Sequence, residues 1–317
     1  MSESRATPLL GVDDASLARA VEILRAGGLV AFPTETVYGL GADAASPRAV
    51  AKIYAAKGRP SFNPLIAHVA DLSAARREAR FGAPALRLAE AFWPGPLTLV
   101  APAALEGSVC ELARAGLASV ALRIPAHPAA LALLRAFGGP LAAPSANVSG
   151  HVSPVTAAHV AEDLAGRVDL ILDGGRARAG LESTIVSFLG DTPALLRPGA
   201  IPREEIEAVL GTRLGEARGD VVAPGMTSAH YAPRARLRLD ARTLEPGEAG
   251  LDFGGTFRGD GLVLDLSPGG DLIEAAANLF AYLRDLDARG VARIAVAPIP
   301  AHGLGEAIRD RLRRAAS

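Results

Sequence analysis

The chain has a single cysteine, Cys110, in 317 residues. That excludes an internal disulfide and any cluster of thiolate metal ligands, and leaves Cys110 as an expected small core residue. Half of the residues are hydrophobic, yet no run approaches the roughly 20 apolar residues needed to span a bilayer. The opening Met-Ser-Glu-Ser-Arg-Ala-Thr-Pro has no apolar targeting core. A soluble, cytoplasmic protein is therefore expected. An excess of one charge is also missing. The formal net charge is −1, which argues against bulk attraction to nucleic acid and leaves only a local basic patch. Lysine is scarce while Ala, Gly, Arg and Leu abound, a bias of genome composition more than of function. The phosphate cradle Gly-x-x-x-x-Gly-Lys-Ser/Thr and the dinucleotide fingerprint Gly-x-Gly-x-x-Gly are both absent. So are metal-ligand spacing of His, Asp and Glu and a Gly-x-Ser-x-Gly elbow.

What is present centres on Lys57 to His68, Lys-Gly-Arg-Pro-Ser-Phe-Asn-Pro-Leu-Ile-Ala-His. Lys57 and Arg59 flank a glycine on one short turn, which suits a phosphate, with Arg as a planar fork and Lys as a point charge. Pro60 and Pro64 stiffen the chain. Leu65 to His68 reads as a short buried strand delivering an imidazole. A solvated loop before a core strand is the plainer alternative.

The length allows two domains or one large one. Asp14 to Ala26 carries a helical stripe of Leu17, Val21 and Leu24 ended by Gly27-Gly28. Leu29 to Phe32 is a short apolar strand running into Pro33-Thr34-Glu35-Thr36-Val37-Tyr38-Gly39-Leu40-Gly41. So many hydroxyls, with glycines permitting close backbone approach, ask for more than a plain junction. Pro47 to Lys57 has helix-start chemistry and an apolar stripe. A helix over Ala83 to Phe92 leads through Trp93-Pro94-Gly95-Pro96 into a strand. Ser119 to Pro125 alternates like a strand but contains Arg123, which needs an anion from the protein or a ligand. Ser145, Asn147 and Ser153 lie after a strand end, with Ser153-Pro154 expected to open the next helix, where N–H groups and hydroxyls suit an anion; capping by Ser153 is equally compatible. A strand at Leu170 to Asp173, a hydroxyl-bearing strand at Leu181 to Val186, and Arg197 after Leu195-Leu196 complete the series. Cations on separate elements of a nearly neutral chain imply a concave site, lined by strand ends, for a multiply anionic ligand.

These segments, from Phe32 to Gly41, Lys57 to His68, Trp93 to Val100, Val120 to Pro125, Pro144 to Pro154, Leu181 to Val186 and Arg197 to Gly199, resemble in order the YrdC-type L-threonylcarbamoyl-adenylate synthases. The tail resembles that family's long form, with Ala223-Pro224-Gly225-Met226 and His230-Tyr231-Ala232-Pro233 as an interdomain linker. Strands at Gly261 to Leu266 and Arg293 to Ala297 and helices at Asp271 to Arg289 and Gly303 to Arg314 follow. The resemblance implies an α/β fold: a twisted mixed sheet with helices over residues 1–210, a linker over 211–235, and a small Rossmann-like domain over 236–317. It implies formation of threonylcarbamoyl-AMP and pyrophosphate from L-threonine, bicarbonate or CO2, and ATP carrying Mg2+, with no protein metal cluster. The product would pass to tRNA-modifying partners, without membrane association or strong direct nucleic-acid binding. Lys57 and Arg59 are implied as catalytic cations. Lys57, Arg59, Asn63, Ser119, Ser145, Asn147, Ser153, Arg197 and Tyr231 are implied for ATP, and Thr34, Thr36, Tyr38, His68, Arg123, Ala143 and Ser183 for threonine. Whether His68 acts as a base or only orients substrate stays open. Two departures stand out: Thr227-Ser228-Ala229 replaces a cationic linker run, and Val155 stands where Thr is common. The linker is expected to close over the nucleotide, so that a chain cut after about Gly211 would stay folded and still bind ATP but lose product faster or turn over less. An RNA-binding module and a carbamoyltransferase with another acceptor are the alternatives. The near-neutral charge and the chain length argue against them.

Overall fold

The computed structural model describes residues 6–60, 63–216, 231–258 and 261–317. Its first sheet comprises β1 (Leu9–Gly11), β2 (Val30–Phe32), β3 (Gly39–Asp43), β4 (Ile66–His68), β5 (Leu97–Pro102) and β6 (Ser119–Arg123). To these it adds β7 (Leu141–Ala142), β8 (Leu170–Asp173), β9 (Thr184–Ser187), β10 (Ala194–Arg197) and β11 (Gly215–Glu216). The strand order is β1-β8-β2-β3-β7-β4-β6-β5-β9-β10-β11. Parallel and antiparallel pairs mix in this twisted sheet, with β4 parallel to β6 and antiparallel to β7. Helices α1 (Asp14–Arg25), α2 (Pro47–Lys57), α3 (Leu72–Glu78), α4 (Ala83–Phe92), α5 (Pro128–Phe137), α6 (Ala157–Leu164) and α7 (Arg203–Leu210) accompany it. A second sheet, all parallel, orders β12 (Arg236–Arg238), β15 (Arg293–Val296), β13 (Ala249–Asp252) and β14 (Val263–Asp265), with α8 (Leu272–Ala288) and α9 (Leu304–Ala315) packed on it. The two-part α/β fold expected from the sequence is the observed one.

Local chemistry sets the elements that carry the site. Asp13 and Ser16 cap each other's backbone at the start of α1, satisfying donors a helix end leaves open. Ser46 and Pro47 open α2, where a proline lacks nothing the helix needs. Gly58 closes it at φ 60°, the left-handed turn that glycine enters without a Cβ clash. The stretch around Gly39 and Gly41, which the sequence marked as more than a plain junction, opens strand β3. Glycine is disfavoured in strands, but a Cβ at Gly41 would lie 2.8 Å from the Phe32 ring, so this strand needs the missing side chain. The helix expected from Ser153-Pro154 instead starts at Ala157, capped by Thr156. Ser153 is thereby released from capping and faces another partner.

The two parts share a core. Val37, Val152, Val155, Ala177 and Leu181 from the first cluster with Leu279, Phe280 and Leu283 of α8. Burying each such side chain stabilises by about 1.5–3 kcal/mol. Gly180, at φ 64°, approaches α8 so closely that a Cβ would meet Ala276 O at 2.3 Å. Around this seam Arg284 pairs with Asp163 at 2.9 Å and Arg203 with Glu306 at 2.7 Å.

Candidate active site

Strand register brings the polar residues together. His68 on β4 stands opposite Arg123 on the parallel strand β6. In β10 the pairing with β9 shifts between Leu195 and Arg197. Such an irregularity bends a strand and re-aims its side chains, here turning Arg197 to a cleft instead of the core that Leu195 and Leu196 enter. The cleft is lined among others by Thr34, Thr36, Arg59, His68, Arg123, Ala143, Ser145, Glu182, Ser183, Arg197 and Tyr231. Ten of the residues expected from the sequence therefore meet around one space.

The guanidinium groups are fixed before any ligand arrives. Arg197 donates from Nε and Nη2 to Ser183 O at 3.2 and 3.0 Å, and from Nη2 to Ser183 Oγ. Arg59 donates to Asn63 O and Pro64 O. Burial opposes both charges, lowering Arg197 and drawing Arg59 down to about 10. Arg59 therefore remains cationic at neutral pH, in a setting where water screens little. Hydroxyls are held equally firmly. Thr34 Oγ1 donates to Val37 O at 2.6 Å and lies 2.8 Å from Thr36 Oγ1, so Thr34 orders the turn that presents Thr36. Ser183 Oγ is 2.7 Å from Thr98 Oγ1. His68 is buried with Nδ1 unpartnered among the described residues, and its ring meets Phe32 edge-on. Burial, aided by Arg123, holds its pKa down to about 3, so the imidazole is neutral.

Several expected positions lie elsewhere. Lys57 is 1% exposed and off the cleft wall. As the last residue of α2, its Nζ turns inward to Ser145 O at 2.6 Å and to Asn147 O and Oδ1. Its own carbonyl accepts from Ser149 N. Lys57 thus staples the loop carrying Ser145. The sequence alone puts both cations of this turn on one phosphate; in the structure Arg59 lines the cleft, while three oxygens of the Ser145–Asn147 loop converge on Lys57 Nζ. Burial and then Arg59 push the Lys57 pKa well below its ordinary value. Asn147 completes the same loop, with Nδ2 on Val148 O and His151 O. Tyr38 is fully buried and holds Gly175 O and Asp173, shaping the wall from behind. Ser153 Oγ donates to Glu182 Oε1 at 2.6 Å. Asn63 sits beside Arg59 with Oδ1 buried and unpartnered among the described residues. Ser119 opens β6, at the opposite end of that strand from Arg123, and does not line the cleft. His230 and Thr227-Ser228-Ala229 lie outside the described residues. Tyr231 is buried at φ 66°, stacked on Phe280, and lines the cleft.

Three charged residues were missed. Glu35 pairs with Arg123 at 2.7 Å, supplying the anion that a buried arginine demanded, while its Oε2 is buried and unpartnered among the described residues. Its position inside Thr34-Glu35-Thr36 was the signal. Glu182, next to Ser183, is fully buried. Burial alone would raise its carboxyl, but Arg311, Arg197 and the Ser153 hydroxyl hold it down to about 2. Arg311 reaches it from α9 at 2.8 Å, and nothing in a helix containing several arginines marked that one.

Fold and site together define a two-domain α/β protein with a pre-organised cleft at strand ends, lined by arginines and hydroxyls. Residues 22–199 match the Sua5/YciO/YrdC family model, described as "Telomere recombination", and residues 201–317 match the Sua5 C-terminal domain, described as "Threonylcarbamoyl-AMP synthase, C-terminal domain". A Bacillus subtilis protein named threonylcarbamoyl-AMP synthase is 44% identical, over 98% of this chain and 95% of its own length. The structure of Pyrococcus abyssi Sua5 complexed with L-threonine superposes with a TM-score of 0.90 at 40% identity, covering 98% of both chains. Escherichia coli YciO, at 26% identity and a TM-score of 0.55, covers 61% of this chain and 96% of its own. The chain belongs to the Sua5/YciO/YrdC family, in its long form with the Sua5 C-terminal domain.

Proposed function

We propose that this protein is an L-threonylcarbamoyladenylate synthase. It makes threonylcarbamoyl-AMP, pyrophosphate and water from L-threonine, bicarbonate and ATP, for threonylcarbamoylation of the tRNA adenosine beside the anticodon by downstream proteins. The observation that carries this reading is the convergence of Arg59, Arg123 and Arg197 on one hydroxyl-lined cleft. The full-length relatives named for that activity support it. Cytoplasmic placement belongs to the same reading.

The threonine nitrogen bonds to the carbon of bicarbonate or CO2, giving a carbamate. A carbamate oxygen then bonds to the α-phosphorus of ATP as the bond to the β-phosphate oxygen breaks, and pyrophosphate leaves. Negative charge redistributes over phosphate oxygens throughout, so fixed cations are the main requirement. Arg59, from the turn after α2, and Arg197, from β10, meet it, with Ser145 and the Asn63 amide as further polar partners. Lys57 acts through the loop it braces. Thr36, Ser183, Arg123 and the Ala143 backbone take the amino acid, and neutral His68 orients it through a ring nitrogen.

Mg2+ arrives as part of the nucleotide substrate. No group of three or more His, Cys, Asp or Glu side chains among the described residues could hold a metal ion. The carboxylates nearest the cleft, Glu35 and Glu182, are already engaged by arginines.

Pyrophosphate release tests the function, each of ATP, threonine and bicarbonate being omitted in turn, with mass spectrometry of the labile product. Strict dependence on all three is expected. Turnover without threonine would defeat the reading.

A further inference from the structure

Glu182 poses a problem that the proposed chemistry makes sharper. It is the one carboxylate among the described residues lining a cleft that must receive phosphates. It also lies close enough to Arg197 for each to influence the other's ionisation. Left to itself, a buried carboxylate pairs with the nearest guanidinium. That pairing would occupy the cation the ligand needs and add repulsion to the site.

The second domain supplies a competitor. Arg311 of α9 is completely buried, and its Nε donates to Glu182 Oε2 at 2.8 Å while Nη1 is held by Asp310 at 2.7 Å. Its guanidinium lies 5.1 Å from the centroid of the Tyr231 ring, itself part of the cleft wall. Nη2 is buried without a hydrogen-bond partner among the described residues. A pair retained for stability alone gains little when buried, and less with a donor unsatisfied. The cost makes sense if Arg311 is there to control where Glu182 points. We propose that Arg311, delivered by the second domain, is a positioning residue of the anion cleft. It captures Glu182 away from Arg197, keeps the Ser153 hydroxyl oriented through Glu182, and leaves Arg197 for the nucleotide phosphates. The second domain thereby completes the site electrostatically, without touching substrate through this residue.

The inference rests on the synthase reading, and the test separates the two. Full-length wild type, Arg311→Met, Glu182→Gln and the double variant are compared for KM of ATP, KM of threonine and kcat by pyrophosphate release, with thermal melts alongside. Arg311→Met should raise the ATP KM by about tenfold or more, the scale of one lost charge-assisted contact, with the threonine KM changed by less than about threefold. Adding Glu182→Gln should return the ATP KM to within about threefold of wild type, because a neutral amide no longer competes for Arg197. A purely structural staple would weaken both substrates together, or leave the double variant as impaired as the single; either result overturns the inference. So does a wild-type ATP KM in Arg311→Met. If Arg311→Met shows no cooperative melt, the double variant decides, since replacing both buried charges is commonly tolerated. A wild-type-like ATP KM then supports the inference and a raised one overturns it. A wild-type protein that releases no pyrophosphate fails the functional reading itself.

Discussion

Lys57 and Arg59 stand two positions apart and do different work. Arg59 lines the cleft, whereas Lys57 is consumed by carbonyls of the loop behind it. Removing the ammonium leaves buried acceptors unpaired, at about 1–3 kcal/mol each. Lys57→Met should therefore lower the melting temperature, by about 2–4 °C for each kcal/mol in a domain of this size. Arg59→Ala should mainly lower turnover, by the equivalent of about 2–4 kcal/mol. Thermal melts beside pyrophosphate-release rates check both, and the reverse pattern would return Lys57 to the cleft. His68 makes a second prediction at this scale. Folded, it stays neutral down to about pH 3; unfolded, an imidazole protonates near the usual ~6.5. Between those values the unfolded chain binds more protons, so this contribution is complete above about pH 6.5 and is lost as pH falls toward 3. His68→Gln should flatten that part of the stability profile. Urea unfolding of both proteins at pH 7 and pH 5 should show a smaller difference for the variant.

Among the elements, β9 and β10 decide the geometry of the cationic wall. The shifted pairing before Arg197 is followed by a close backbone approach at Gly199. A Cβ on Gly199 would lie 2.4 Å from Thr184 N and 2.5 Å from Glu182 O. Those are backbone atoms, so they cannot swing aside as a flexible side chain would. Gly199→Ala should cost about 1–3 kcal/mol through overpacking and displace Glu182 and Arg197 together. Denaturant unfolding should show the loss, and an unchanged midpoint would mean the backbone relaxes at no cost. The β3 strand shows the same principle from the other side. Propensity weighs a residue alone and disfavours glycine in a strand, whereas the Phe32 ring that requires Gly41 arrives from the neighbouring strand β2.

At the scale of the whole molecule, the two parts are bound by more than a linker. Val152, Val155 and Leu181 pack into one cluster with α8, and Arg311 crosses to Glu182. The expectation that a chain cut after Gly211 would remain a well-folded, ATP-binding domain is revised accordingly. Truncation exposes an apolar face and removes Arg311 from Glu182, leaving that carboxylate to take Arg197 instead. The truncated chain should bind ANS, melt lower than the full chain and lose ATP affinity. Wild-type ATP affinity with no ANS binding would show that the second domain is dispensable to the cleft. The expected closure of the linker concerns residues that, apart from 211–216 and 231–235, lie outside the described set.

The sequence by itself determined the elements whose signals are local: α2 bounded by Ser46-Pro47 and Gly58, α4 bounded by Gly82 and Trp93, and strands carrying lone arginines. It also singled out Arg59, Arg123 and Arg197, on separate elements of a nearly neutral chain, as candidates for one site, and the structure brings these three to one cleft. Motif order made the family legible because each short stretch keeps its own chemistry wherever the chain folds. Only the tertiary structure decided which charges face ligand and which face protein. Lys57, Glu35, Glu182 and Arg311 each found a partner on another element, 88 residues away for Lys57 with Ser145 and for Glu35 with Arg123, and 129 for Glu182 with Arg311. Burial decides the matter: a charge removed from water must be paired by whatever the fold brings beside it. That neighbour is fixed by packing across the sheet and between domains, which no local spacing encodes.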